Sequence, residues 1–153
     1  MMKAFLIWAL LLVPLASSAQ EVEADPAQDE AAETTPELIR SGVDVLSLDE
    51  FLWVNRLVIV FADSERDPRF IKQMEMLSIT PEDLETRDVV VLIDTEPDVD
   101  SALRERFHPR DFQLLLLGKD GEIKLRKPSP WSVRELVRAI DKLPLRQEEI
   151  GRR

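Results

Sequence analysis

The chain has 153 residues, 44% of them hydrophobic and 33% charged, which allows one compact domain with a short extra segment and excludes two full-sized domains. Acids outnumber bases 30 to 20, for a formal net charge of −10 and a pI of about 4.7, so no basic excess exists to displace counterions from DNA or RNA phosphates. Cysteine is absent and histidine occurs once, which excludes disulfides, thiolate metal sites, Fe–S clusters, thiol redox chemistry and multi-histidine metal centres within one chain.

Residues 1–19 read as a secretory signal peptide. Lys3 supplies the positive start, residues 4–16 form an apolar run of the usual length (roughly 7–15 residues), and Ser17, Ser18 and Ala19 set up cleavage before Gln20. A membrane span needs about 20 apolar residues, and this run is broken by Pro14 and then turns polar. The expectation is an exported protein, periplasmic or secreted, with no membrane span in the mature chain. Residues 20–40 carry Glu21, Glu23, Asp25, Asp29, Glu30, Glu33 and Glu37 against the single base Arg40, with Pro26 and Pro36 interrupting. So few large apolar residues cannot offset the entropy of ordering, and the segment is expected to be a disordered acidic linker. Residues 41–153 carry the pattern of a folded domain.

Within that domain Ser47 and Glu50 spell a capping box, with Leu46 placed to staple onto Phe51. Residues 56–62 (RLVIVFA) predict a strand covered on both faces. Asp67 as cap and Pro68 at the first helical position open a helix with an apolar stripe of Phe70, Ile71, Met74 and Leu77. Thr80-Pro81 signals another helix start. Residues 88–94 (DVVVLID) predict a second buried strand, and Asp100 or Ser101 caps a short helix ending near Phe107. Residues 112–117 and 122–126 predict two further strands, joined by the hairpin loop Gly118-Lys119-Asp120-Gly121. Ser132 and Glu135 form a second capping box. It opens a last helix buried through Val133, Leu136, Val137 and Ile140 and stopping before Pro144. The order helix, β, α, β, α, β, β, α predicts an α/β thioredoxin-like fold. Its mixed four-stranded sheet has helices on both faces, the early strands parallel and the hairpin antiparallel.

The stretch Trp53-Val54-Asn55-Arg56-Leu57-Val58-Ile59-Val60-Phe61-Ala62, followed by Asp67-Pro68-Arg69, resembles the opening of the thioredoxin-like domain of unknown function family 4174. Three further stretches are similar to it: Arg87-Asp88-Val89-Val90-Val91, then Gly118-Lys119-Asp120-Gly121 with Lys124-Leu125-Arg126, and Ile140-Asp141-Lys142-Leu143-Pro144-Leu145-Arg146. Their order and spacing cover residues 47–149. Val54 departs from a usual basic residue, and Leu143 and Leu145 stand where methionine is frequent. The resemblance implies a thioredoxin-like fold. It also implies kinship with small exported bacterial proteins and with modules of animal sushi-repeat-containing and coiled-coil-domain-containing matrix proteins. It implies no established activity.

Thioredoxin-type enzymes place a nucleophilic thiol at the N-terminus of the helix after the first strand, where free N–H groups and the helix dipole lower its pKa. Here that loop is Ala62-Asp63-Ser64-Glu65-Arg66-Asp67-Pro68. No sulfur is present, and Ser64 has no evident base to activate it. A cis-proline before the third strand is also not evident, since Phe112 and Gln113 occupy that region. Asp94, Glu96, Asp98, Asp100 and Glu105 echo the spacing of a calcium loop, but Val99 stands where the tight turn needs glycine and Pro97 stiffens the segment. His108 has no partner motif. Charge is uneven: residues 20–100 sum to −16 and residues 118–153 to +4, leaving a basic hairpin and last helix. Trp131 reads either as an exposed aromatic anchor for a partner or as a helix staple or core-edge residue. The expected function is therefore a cysteine-free, non-catalytic binding module for a protein partner in the envelope or outside the cell. Asp63, Ser64, Arg66, Arg69 and Trp131 are its candidate contacts, with no cofactor and no metal. The alternative is an enzyme using non-thiol groups of the loop after the first strand.

Overall fold

The long apolar runs form the inner strands of a sheet covered on both sides. A computed structural model describes residues 38–152, so the expected leader and residues 20–37 of the expected linker lie outside the described residues. The strands are β1 (Ile39–Ser41), β2 (Arg56–Phe61), β3 (Val89–Asp94), β4 (Gln113–Leu117) and β5 (Ile123–Lys127), in the order β1-β3-β2-β4-β5. β3 runs parallel to β1 and β2, while β4 is antiparallel to both β2 and β5. The helices are α1 (Pro68–Leu77), α2 (Glu82–Glu85), α3 (Ala102–Phe107), α4 (Val133–Ile140) and α5 (Pro144–Gly151). This is a thioredoxin-like fold.

Side chains alternate across the pleat, so each apolar run feeds two cores at once. Val58, Val60, Val91, Leu114 and Leu116 join Phe70 and Leu77 of α1, Leu84 of α2 and Leu136 and Ile140 of α4. On the other face Ile59, Phe61, Leu92, Leu115 and Leu117 meet Leu103 and Phe107 of α3 and the incoming residues Val45, Leu48 and Phe51. Each such side chain contributes roughly 1.5–3 kcal/mol on burial, and this two-sided core fixes where the strand ends, and hence the functional loops, emerge.

Several local expectations hold. Asp67 accepts from Arg69 N at the start of α1 with Pro68 at its first position, Ser101 caps α3, and Ser132 and Glu135 close a reciprocal capping box on α4. Others are corrected. The sheet has five strands, because Ile39 and Arg40, at the end of the acidic segment, pair with Val91 and Leu92 at the sheet edge. Such a short strand takes its hydrogen bonds from a neighbour and leaves no periodicity to read. Ser47 accepts from Asp49 N at 3.1 Å, which tightens the turn into a 3-10 segment, Asp49–Phe51, without a capping box; Leu46 stays 89% exposed rather than stapled. Pro144 does not end the chain's helical content: it sits at the first position of α5, the place where a missing N–H costs nothing.

In α1 the stripe is rotated at one position. Ile71 faces solvent and Gln73 is fully buried. The reason is polar. Gln73 Oε1 accepts from Trp131 N and Gln73 Nε2 donates to Trp131 O, both at 2.8 Å, so one amide satisfies both backbone groups of the loop entering α4. Replacing Gln73 with Ala strands both groups, at about 1–3 kcal/mol each. Gln73→Ala is expected to lower unfolding stability by at least about 2 kcal/mol in urea titrations and to shift Trp131 emission to the red.

Candidate functional site

At the C-terminal end of β2 the chain turns from Ala62 through an exposed loop into α1. Asp67 N donates to Ser64 O at 3.1 Å, which closes the turn. The Asp67 carboxylate then fills the mouth of α1: Oδ1 accepts from Arg69 N at 2.8 Å, and the Arg69 guanidinium returns to both oxygens at 3.1 and 2.8 Å. The hydrogen bonds from Arg69 hold the Asp67 carboxyl below its ordinary range and raise the Arg69 pKa in turn. Arg69 also lies 5.7 Å above the Phe112 ring, and Asp63 and Asp111 add to its field. Asp63, Ser64, Arg66 and Arg69 therefore share one exposed rim.

Trp131 is held elsewhere. It docks on Gln73, one turn beyond Arg69 along α1, is half-buried against the core, and carries Lys127 Nζ 4.5 Å above its ring. The acidic run at the end of β3 is also partly committed. Asp94 is buried and accepts from Ser101 Oγ at 2.5 Å and Arg104 Nε at 2.8 Å, and Arg104 reaches on to Ala62 O at 2.9 Å. Asp94 thus ties the ends of β2 and β3 to α3. His108 is the exposed left-handed cap of α3, at φ 45°.

The opposite end of the sheet, where β2 and β3 begin and β4 ends, holds a denser arrangement. Arg56, the first residue of the central strand β2, is fully buried. Its guanidinium donates to Arg87 O at 2.9 Å and to Glu149 Oε1 at 3.0 Å. Glu149, on α5, also meets Lys119 at 3.1 Å and Arg146 at 3.2 Å. Arg87 clasps Asp141 through two bonds of 2.9 Å, and Lys119 meets Asp88 at 2.8 Å. Burial acts to raise the Glu149 pKa, but the bonds from Arg56, Lys119 and Arg146 outweigh it and bring the carboxyl from 4.5 down to about 2.

Beside this cluster lies a cavity of about 250 Å³, lined by the charged residues Arg56, Lys119, Asp120, Lys124 and Glu148 and by apolar residues that include Trp53. Trp53 is 69% exposed and adopts φ 63°, a left-handed conformation that costs a non-glycine residue about 1–2 kcal/mol. Its N–H donates to Lys119 O at 2.7 Å, which locks it against the hairpin. Gly121 supplies that hairpin's own left-handed residue at φ 74°.

The strand order, the two-sided helical cover and the sulfur-free helix mouth define a cysteine-free thioredoxin-like domain. Residues 47–149 match the family described as Domain of unknown function (DUF4174), and the chain belongs to that family. Among solved structures it is similar to thioredoxin-2, described as a component of malaria parasite protein secretion machinery. The identity is 18%, with 58% of this chain and 84% of that chain covered and a TM-score of 0.48. It is also similar to StoA from Bacillus subtilis, at 13% identity, with 56% and 82% covered and a TM-score of 0.44.

Sequence reasoning named the loop at residues 63–69 but not Trp53, Arg56, Lys119, Arg146 or Glu149 as a group. A signal was present: each of the four stretches that carried the family resemblance supplies residues to this cluster or its cavity. What the sequence lacked was their convergence, since Arg56 and Glu149 are far apart along the chain.

Two outcomes follow from this geometry. A carboxyl depressed in the folded state contributes stability that is fully present above about 4.5 and is lost as the pH falls through about 2. Glu149→Gln is expected to cost on the order of 3 kcal/mol at pH 7 and to flatten the loss of urea stability between pH 4.5 and 2. Trp53→Gly removes the left-handed strain from an exposed side chain and is expected to leave stability unchanged or raise it by up to about 1 kcal/mol in thermal melts.

Proposed function

We propose that the protein is exported by residues 1–19 and acts outside the cytoplasm as a non-catalytic binding module for an envelope or extracellular protein. The observation that carries this reading is the mouth of α1. A thiol-type enzyme of this fold needs the free N–H groups and positive dipole end there to hold a thiolate. In this chain Asp67 occupies them and Arg69 neutralises Asp67, so the position is filled from within. What that end offers instead is a rim of exposed charges, Asp63, Arg66 and Arg69, around Ser64, suited to polar contacts at an interface edge.

Cell fractionation should place the mature chain outside the cytoplasm, with an N-terminus at Gln20. Purified protein should neither reduce insulin disulfides nor turn over peroxide with a thiol reductant; turnover by the chain alone overturns the reading. A photo-crosslinker at Asp63, Ser64 or Arg66 should trap one recurrent envelope protein. That adduct should be absent when the probe sits at exposed Ile79 and at least about tenfold weaker in Arg66→Glu. Equal capture from Ile79 would remove the rim as the contact.

A further inference from the structure

The sheet has two edge strands, β1 and β5, and they are built differently. β5 carries Lys124, Arg126 and Lys127, and its register against β4 shifts between Leu116 and Leu117. Charges and register breaks of that kind keep further strands from pairing. β1 carries one charge, Arg40, and keeps a regular register. Val91 N donates to Leu38 O and Gly42 N donates to Ile93 O, both at 2.6 Å. Backbone groups alternate between the two sides of a parallel strand, so those of Ile39 and Ser41 point away from β3. Among the described residues no strand lies beyond them.

Beside this edge lies a groove of about 260 Å³. Its apolar lining is Ile39, Val43, Phe70 and Ile93, and among its charged residues Glu65 and Glu96 outnumber Arg40. Glu65 belongs to the loop that carries the rim, so groove and rim adjoin. The surroundings keep the same sign. In the connections leaving β1, β2 and β3, Asp67 and Asp94 are answered by Arg69 and Arg104. Asp44, Asp63, Glu65, Glu96, Asp98 and Asp100 form no ion pair among the described residues, and only Arg40 and Arg66 stand against them. Farther out, Lys72 and Arg110 are matched in number by Glu75 and Asp111. A clear negative surplus remains.

That sign selects the occupant. The chain's own residues 20–37, with many acids and no base, are repelled, whereas a cationic segment is drawn in. An apolar lining beside two carboxylates suits lysine, whose methylene stem covers apolar surface while its ammonium stays among charges. An extended backbone would pair with Ile39 and Ser41 and send alternate side chains into the groove.

We propose that the protein partner docks through an extended, lysine-bearing segment added along the outer edge of β1, with the lysine stem against Phe70 and Ile93 and its ammonium at the Glu65 and Glu96 carboxylates. This rests on the reading of the chain as a binding module and supplies the partner's chemistry.

Amide NMR spectra and hydrogen exchange of the exported chain, titrated with the end-blocked pentapeptide TVKVT, test the assignment. Saturable shifts are expected at Ile39, Ser41, Thr95 and Glu96, with exchange of the Ile39 and Ser41 N–H groups slowed at least about threefold. Norleucine in place of the peptide's lysine keeps the stem and removes the charge, and should weaken binding at least about threefold. Glu65→Gln combined with Glu96→Gln should do the same; both side chains are exposed, so the variant folds. Glu105→Gln, on α3, should bind the peptide within about twofold of the unmodified chain. No saturation up to about 10 mM, shifts confined to other residues, unchanged exchange at Ile39 and Ser41, or equal affinity for the norleucine peptide overturns the proposal. Concentration-dependent protection of those two amides without peptide identifies a second copy as the occupant and overturns it as well. A partner still trapped by the crosslinker at Ser64 after such a failure leaves the rim reading standing. Loss of that adduct while the peptide binds removes the rim and not the groove.

Discussion

A guanidinium sits at the root of the central strand, and the end of the domain is arranged around neutralising it. Arg56 begins β2, the strand that pairs with both β3 and β4, so its side chain enters the interior and cannot leave without shifting the sheet register. A buried cation without a partner is strongly destabilising. The partner arrives from the far end of the sequence: Glu149 on α5. The only buried residue of α5 is Arg146. The last helix is therefore attached chiefly by charge, in contrast to α4, which is held by Val133, Leu136 and Ile140.

The two ends of the sheet are consequently different in kind. At the C-terminal end of β2 the charges are local. Asp67 and Arg69 are two residues apart and form a self-contained cap, and Asp94, Ser101 and Arg104 lie within one connection. These contacts hold loops in place and leave a charged rim outside. At the N-terminal end the charges come from β2, from the residue pair before β3, from the β4–β5 hairpin and from α5. Convergence of that kind encloses space, and the cavity beneath Trp53 is its result. The fold thus presents an outward-facing surface at one end and a small recess at the other.

Much of the local structure was legible because its causes are local. The caps at Asp67, Ser101 and Ser132, the three inner strands and the hairpin all follow from residues within a few positions of one another. What escaped was set by partners distant in sequence. β1 exists through β3, and Gln73 turns inward because Trp131 needs both of its backbone groups satisfied. α5 continues past Pro144 because charges on the sheet end hold its first turns. The candidate contacts divided in the same way: Asp63, Ser64, Arg66 and Arg69 are neighbours in the chain and share a rim, whereas Trp131 is tied to Gln73 of α1, far from it in sequence.

The amino-acid sequence alone determined the chemistry this protein lacks, since no arrangement of atoms creates a thiolate from a chain without cysteine. It also determined the alternation of buried strands and capped helices, because side-chain period and cap residues act within one or two turns. Only the tertiary structure decided which charges meet. Arg56, Lys119, Arg146 and Glu149 read singly as ordinary surface residues. Their burial and pairing come from the strand order, which brings the start of β2 beside the end of β4, where α5 returns to cover both.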